Sequence, residues 1–202
     1  METLQQHLHQ ALASFSWWEA AAVLLGVAYL LLAVRENIWC WTAAFLSTSI
    51  FVFLFWDVSL LMESGLQVYY LIMAVYGWRQ WQQGSGEKGE LQIQRWSWRQ
   101  HLLAAGLVLL LASASGLLLR QNTGAVMPFL DSFTSWGAVL STWMVARKIL
   151  ENWLYWLLID SLSIYLYLDR SLYLTALLFL FYLIIAFFGY RQWLRHYQKQ
   201  HS

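Results

Sequence analysis

Three side chains in one eight-residue stretch carry the clearest chemistry: Trp153, Trp156 and Asp160, in the run Trp-Leu-Tyr-Trp-Leu-Leu-Ile-Asp. At positions i, i+3 and i+7 they share one face of a helix. Two indole rings above a carboxylate form a seat for a flat, positively charged molecule, because ring faces and the acid both attract a cation. An acid at membrane depth costs several kcal/mol unless it is paired or hydrated, so such residues are rare and usually functional. The competing reading is an interfacial Trp belt with the Asp bonded to a neighbouring helix.

The elements that must position this stretch are membrane helices. Of 202 residues, 60% are hydrophobic and only 11% are charged, against about 25% charged in a soluble domain. A net charge of +1 leaves no electrostatic footprint for nucleic acid. The single cysteine, Cys40, excludes an intrachain disulfide and any Cys-only metal site. There is no His-Glu-x-x-His, no Gly-x-Ser-x-Gly and no histidine in mid-span, so neither an enzyme, a metal nor a cofactor is expected.

About 20 mainly apolar residues span a bilayer, and seven such runs follow in order. They cover roughly 17–34, 38–55, 60–78, 101–119, 132–145, 153–168 and 171–190. Residues 1–16 read as a short tail before an uncleaved first span. Residues 79–100 form the one real linker, with a Gly-Ser-Gly-rich segment at 84–90 expected to be flexible and exposed. Residues 120–131, with the only proline, Pro128, read as a loop. Ten basic residues fall on one side: Arg35, Arg79, Lys88, Arg95, Arg99, Arg147, Lys148, Arg191, Arg195 and Lys199. Only Arg120 and Arg170 fall on the other. The positive-inside rule then places the C-terminus in the cytoplasm and the N-terminus outside it.

Segment 70–81, YLIMAVYGWRQW, recurs as YLIIAFFGYRQW at 182–193, a shift of 112 positions. The same shift pairs Asp57 with Asp169, Ser59 with Ser171 and Leu60 with Leu172. Upstream, a shift of 115 pairs Glu36-Asn37 with Glu151-Asn152 and Trp41 with Trp156, which implies a three-residue insertion. The expected fold is an all-α polytopic membrane protein with seven transmembrane helices in a 3+1+3 parallel internal repeat. Its parts are a periplasmic tail 1–16, a three-helix repeat 17–81, a linker, linker helix and periplasmic loop 82–131, a second repeat 132–193 and a cytoplasmic tail 194–202. Parallel repeats of this kind are a transporter architecture with substrate near the midplane.

From the rise of 1.5 Å per residue, Asp160 lies about 10–12 Å from the inner edge, Gln67 about 12 Å from the outer edge, and Ser47, Thr48 and Ser49 about 14–16 Å deep. All approach the midplane of a core about 30 Å thick, which suggests a shared polar cavity. The hydroxyls of Ser47 and Thr48 serve helix packing equally well. Gln67 and Asp160 each need several hydrogen-bond partners in a dry region. Glu63, one turn outward of Gln67, fits either an access path or the wet interface. Glu36, Asn37, Glu151 and Asn152 sit at the inner edge as candidate helix caps or gate residues.

With these features in view the chain resembles the PnuC-type vitamin transporters from about Trp17 to Trp193. The residues carrying the likeness are Leu66, Gln67 and Tyr70 with Tyr76-Gly77-Trp78; Glu151-Asn152-Trp153, Trp156 and Asp160; and Tyr182 with Gly189-Tyr190-Arg191-Gln192-Trp193. The resemblance implies a bacterial inner-membrane protein of a 3+1+3 fold similar to the SWEET sugar transporters, often a homotrimer. It also implies facilitated uptake of nicotinamide riboside, trapped by a separate intracellular kinase. Trp153 and Trp156 would sandwich the pyridinium, Asp160 would offset its charge or accept ribose hydroxyls, and Gln67, Tyr70, Thr48 and Ser47 would complete the site. Without a buried acid–base chain, uniport is expected. Thiamine, also flat and cationic, fits the same seat, and riboflavin is a more distant substrate. A rival class is a sensor or assembly subunit that moves no solute.

Overall fold

The computed structural model describes residues 17–57, 61–83, 91–124 and 127–201, without the side chains of residues 55 and 61–64. The expected N-terminal tail 1–16, the turn residues Val58 and Ser59, the glycine-rich 84–90 and the Glu63 side chain lie outside the described residues. Seven helices occur among those described: α1 Trp17–Val34, α2 Trp39–Asp57, α3 Leu61–Gln83, α4 Trp98–Asn122, α5 Pro128–Ala146, α6 Asn152–Asp169 and α7 Tyr173–Gln200. Of these, α1, α4 and α7 are long and apolar enough on their own to cross a membrane, and α2 holds a shorter apolar stretch, Trp39–Leu54. The remaining helices, α3, α5 and α6, carry many of the polar residues: Gln67; Asp131, Thr134, Ser141 and Thr142; Asn152 and Asp160.

The chain forms two units, one containing α1–α3 and the other α4–α7. In the first, α2 packs on both α1 and α3; in the second, α4 packs on α5, α5 on α6 and α6 on α7. Small residues let these helices approach. The buried face of α4 is Ala104, Val108, Ala112 and Gly116, while Leu103, Leu107, Leu110 and Leu118 face outward. A Cβ added to Gly116 would stand 2.5 Å from the Phe129 ring, so that glycine is what seats α5. Leucine outside and small residues inside is the pattern of helices packed in lipid.

Helix ends differ from the expected spans where local chemistry extends them. Pro128 is not loop but the first residue of α5, where its missing N–H costs nothing. Three helices end in Schellman caps with a non-glycine in the left-handed region: Glu36 at φ 55°, Lys148 at φ 51° and Ser171 at φ 57°. In each, two backbone N–H groups fold back onto the last turn, as Asn37 N–H does to Leu32 O at 2.9 Å. The expected tail from 194 onward is helical to Gln200, because Trp193 is fully buried and anchors α7 beyond Tyr190.

The two units share one register. Adding 112 to the bounds of α1, α2 and α3 gives 129–146, 151–169 and 173–195, against 128–146, 152–169 and 173–200 for α5, α6 and α7. Inside unit 1, Trp41 lies edge-on to Trp81 at 5.5 Å and 86°, and a Cβ on Gly77 would fall 2.3 Å from its ring. Inside unit 2, Trp153 lies edge-on to Trp193 at 5.4 Å and 88°, and a Cβ on Gly189 would fall 2.7 Å from its ring. Trp41 therefore holds the place of Trp153, not of Trp156, and the shift of 115 with its three-residue insertion is not realised. A position facing a glycine of the next helix leaves room for a buried indole, and packing there sets the register.

The second half of the linker is built rather than loose. Gln94 pairs with the α5–α6 turn, its N–H donating to Lys148 O at 2.9 Å and its carbonyl accepting from Leu150 N at 2.8 Å. Ile93, 1% exposed, donates its N–H to Gln200 Oε1 at 3.2 Å. The strap Leu91–Ser97 thus ties the α5–α6 turn to the end of α7.

Candidate functional site

Helix α6 buries Asn152, Trp153, Ile159, Asp160, Ser163 and Leu166 along one stripe. Trp153, 1% exposed, has its ring closed in by Gly189 and Trp193, so it is committed to holding α6 against α7. The expected sandwich of two indoles around one ligand ring is therefore reduced to one. Trp156 is half-buried and makes no aromatic ring contact or hydrogen bond among the described residues, so its ring is not committed as that of Trp153 is.

One turn further, Asp160 is 3% exposed. Its carboxylate has neither hydrogen bond nor ion pair among the described residues. An ionised carboxylate so placed needs a compensating cation or donor. Ser163, one turn beyond, is 5% exposed, and its hydroxyl also lacks a partner among the described residues. The Ser132 hydroxyl of α5 is likewise buried without a partner among the described residues, whereas six other helix hydroxyls are satisfied within their own helix. Thr48, Ser49, Ser115, Ser141, Thr142 and Ser161 all bond back to the carbonyl four residues earlier, at 2.7–2.8 Å. Across on α7, Tyr182 lies within electrostatic range of Asp160. Its ring leans on Phe179 at 5.5 Å, and Phe179 on Tyr167 at 5.0 Å. Ser163 and Tyr182 were not among the residues expected at the site. A serine in an apolar helix carries no signal in sequence, and Tyr182 showed only as a marker of the repeat and of the family resemblance.

In unit 1, Ser47 donates its hydroxyl to Ala22 O at 2.7 Å and is buried, so it fastens α2 to α1, the packing role of the two left open. Thr48 bonds to Ala44 O at 2.7 Å and occupies, at the shift of 112, the place of Asp160. Tyr70 packs edge-on to Tyr69 at 5.5 Å and likewise holds the place of Tyr182. Gln67 is half-buried, with no side-chain hydrogen bond among the described residues.

The four candidate cap or gate residues part company. Asn37 Oδ1 accepts the Trp39 N–H at 3.0 Å and caps α2, while Glu36 takes the left-handed position that ends α1. Glu151 makes no side-chain bond to its own helix. Instead its carboxylate takes Arg95 Nε at 2.8 Å and Trp96 N–H at 3.2 Å, fixing the strap. That hydrogen bond holds the Arg95 guanidinium above its usual range. Asn152, fully buried, donates to Ile149 O at 2.6 Å. No cluster of His, Cys, Asp or Glu able to hold a metal occurs among the described residues.

An all-helical chain with outward leucines and an unpaired acid inside a helix pair belongs to the class of integral membrane proteins that handle a small polar solute. More particularly, the chain belongs to the nicotinamide mononucleotide transporter family, whose pattern it matches over residues 16–195. It is 26% identical over 182 residues to the riboflavin/roseoflavin transporter RibM of Streptomyces davaonensis, covering 88% of this chain and 84% of that one. It is 27% identical to the nicotinamide riboside transporter PnuC of Escherichia coli, covering 93% of this chain and 89% of that one. The fold superposes on the crystal structure of the vitamin B3 transporter PnuC with a TM-score of 0.75, at 20% identity, over 98% of this chain and 88% of that chain.

Proposed function

We propose that this protein carries nicotinamide riboside into a bacterial cell by uniport, through alternating access, with trapping by a separate intracellular kinase. The observation that carries the reading is the buried, unpartnered carboxylate of Asp160, one turn along α6 from the half-buried Trp156. Nicotinamide riboside is a neutral ribose on a permanently cationic flat ring, so ring and charge find Trp156 and Asp160 on successive turns. The relatives are named for riboflavin and roseoflavin in one case and nicotinamide riboside in the other; only the last is a cation. Asp160 favours the cation, because a neutral isoalloxazine would leave the carboxylate uncompensated. Thiamine, also a flat cation, satisfies the same pair and is the second reading.

Gln67, Tyr70 and Thr48 are proposed as further substrate contacts contributed by α2 and α3. The shared register of 112 supports two parallel three-helix repeats joined by α4, an arrangement like that of the SWEET carriers. On this reading the protein is a multi-pass inner-membrane protein with its N-terminus periplasmic and its C-terminus cytoplasmic, assembled as a homotrimer. The test is uptake of labelled nicotinamide riboside, thiamine and riboflavin into liposomes holding the purified protein. Saturable flux of the riboside without an ion gradient is expected. Flux of thiamine alone would overturn the substrate, and flux of none by folded protein would overturn transport in favour of a sensor or assembly role.

A further inference from the structure

The contact of Trp153 with Gly189 does more than hold two helices together, because it fixes which residues of α6 and α7 face each other. The helices are joined by three residues and run antiparallel, so moving seven residues up α6 corresponds to moving seven residues back along α7. From Trp153 and Gly189 that step leads to Asp160 and Tyr182. The electrostatic coupling of Tyr182 to Asp160 and the Tyr182–Phe179–Tyr167 ring series agree with that register. In unit 1 the same step from Trp41 and Gly77 leads to Thr48 and Tyr70. Trp156, Asp160 and Ser163 then line about 10 Å of α6, with the indole at one end and the serine at the other. The tyrosine faces the carboxylate from the next helix.

Neither the Ser163 hydroxyl nor the Tyr182 hydroxyl has a hydrogen-bond partner among the described residues, although Ser163 is 95% buried. A hydroxyl as buried as that of Ser163, with the half-buried Tyr182 hydroxyl on the next helix, is satisfied by something that both donates and accepts. A carboxylate only accepts, so Asp160 likewise needs a donor or a cation on its side of the helix pair. We propose that Ser163 and Tyr182 form a hydroxyl-reading subsite that takes the sugar part of the substrate, while Trp156 and Asp160 take the charged ring. This rests on the proposed transport of a cationic nucleoside and assigns a direction to it along α6, ring toward the Trp153 end and sugar toward Phe179. Trp153 and Gly189 act as positioning residues for the arrangement.

The experiment uses the full chain in liposomes and compares two competitors of labelled nicotinamide riboside uptake: unlabelled riboside, and 1-methylnicotinamide, which keeps the cationic ring and lacks the sugar. In Tyr182→Phe and Ser163→Ala, the concentration of riboside needed for half-inhibition rises about 5- to 10-fold, the loss of one neutral hydrogen bond, while that of 1-methylnicotinamide stays unchanged. An equal rise for both competitors would show a packing role only and overturn the subsite. No rise for either would overturn it too. Absence of riboside uptake by the wild-type protein would remove the transport reading and this subsite with it, an outcome distinct from the other two because it appears before any substitution.

Discussion

Asp160 has its carboxyl group in a helix interface where no Arg, Lys or backbone donor reaches it among the described residues. A bound cation is then worth far more to this carboxylate than it would be in water, because the solvent that normally screens it is excluded. Trp156 adds a ring face, worth about 1–2 kcal/mol to a desolvated cation. Trp156→Ala is therefore expected to lower riboside uptake at limiting concentration by about 5- to 30-fold, measured as initial flux per folded protein. Trp153→Ala should instead act on stability, because its ring fills the contact with Gly189 and Trp193. The sequence spacing of Trp153, Trp156 and Asp160 revealed that they share a face. It did not reveal that Trp153 is already covered, since the covering glycine lies 36 positions away and no periodicity announces it.

Helix pairs α2–α3 and α6–α7 are each fastened by an indole over a glycine. Gly77→Ala and Gly189→Ala place a methyl 2.3 and 2.7 Å from ring carbons, too close without movement of a rigid side chain. Each is expected to cost about 1–3 kcal/mol and to lower the melting temperature in detergent, while Gly106→Ala, which meets nothing within 4 Å, should not. The strap makes a second prediction. Glu151→Gln removes the charge that holds Arg95 and weakens the bond to the Trp96 N–H. Hydrogen exchange at the Gln94 and Trp96 amides should accelerate relative to amides within α6. Helices with strong apolar runs were readable from sequence, and α1 occupies the expected 17–34. The strap at 91–97 and the last ten residues of α7 were not, because both are held by long-range contacts, the strap by Lys148, Leu150, Glu151 and Gln200 and the end of α7 by Trp153 against Trp193. Glu36-Asn37 and Glu151-Asn152 matched in letters but differ in use, one pair ending α1 and capping α2, the other gripping the strap and the α5–α6 turn.

Across the chain the shared register of 112 implies that equivalent places in the two units have diverged in chemistry: Thr48 where the other unit has Asp160, Gln67 where it has Phe179. Of these two pairs of matched places only one holds an acid, Asp160 on α6, and on the proposed reading that helix takes the cationic end of the substrate. The proposed orientation is open to direct test in a chain from which Cys40 has been removed. A cysteine at His201 should react with an impermeant maleimide only from the cytoplasmic side, and one at Asn122 only from the outside; reversed labelling would overturn the positive-inside assignment.

Charge recognition by Asp160 is tested most directly by comparing nicotinamide riboside with its dihydropyridine form, nearly the same in shape but neutral, in wild-type and Asp160→Asn proteins. The wild type should take up the cation in strong preference. The substitution should lower uptake of the cation at least about tenfold while leaving the neutral form little changed, so that the preference collapses. An unchanged preference in the Asn variant, in protein shown to be folded, would contradict the assignment of Asp160 as the group that reads the substrate's charge.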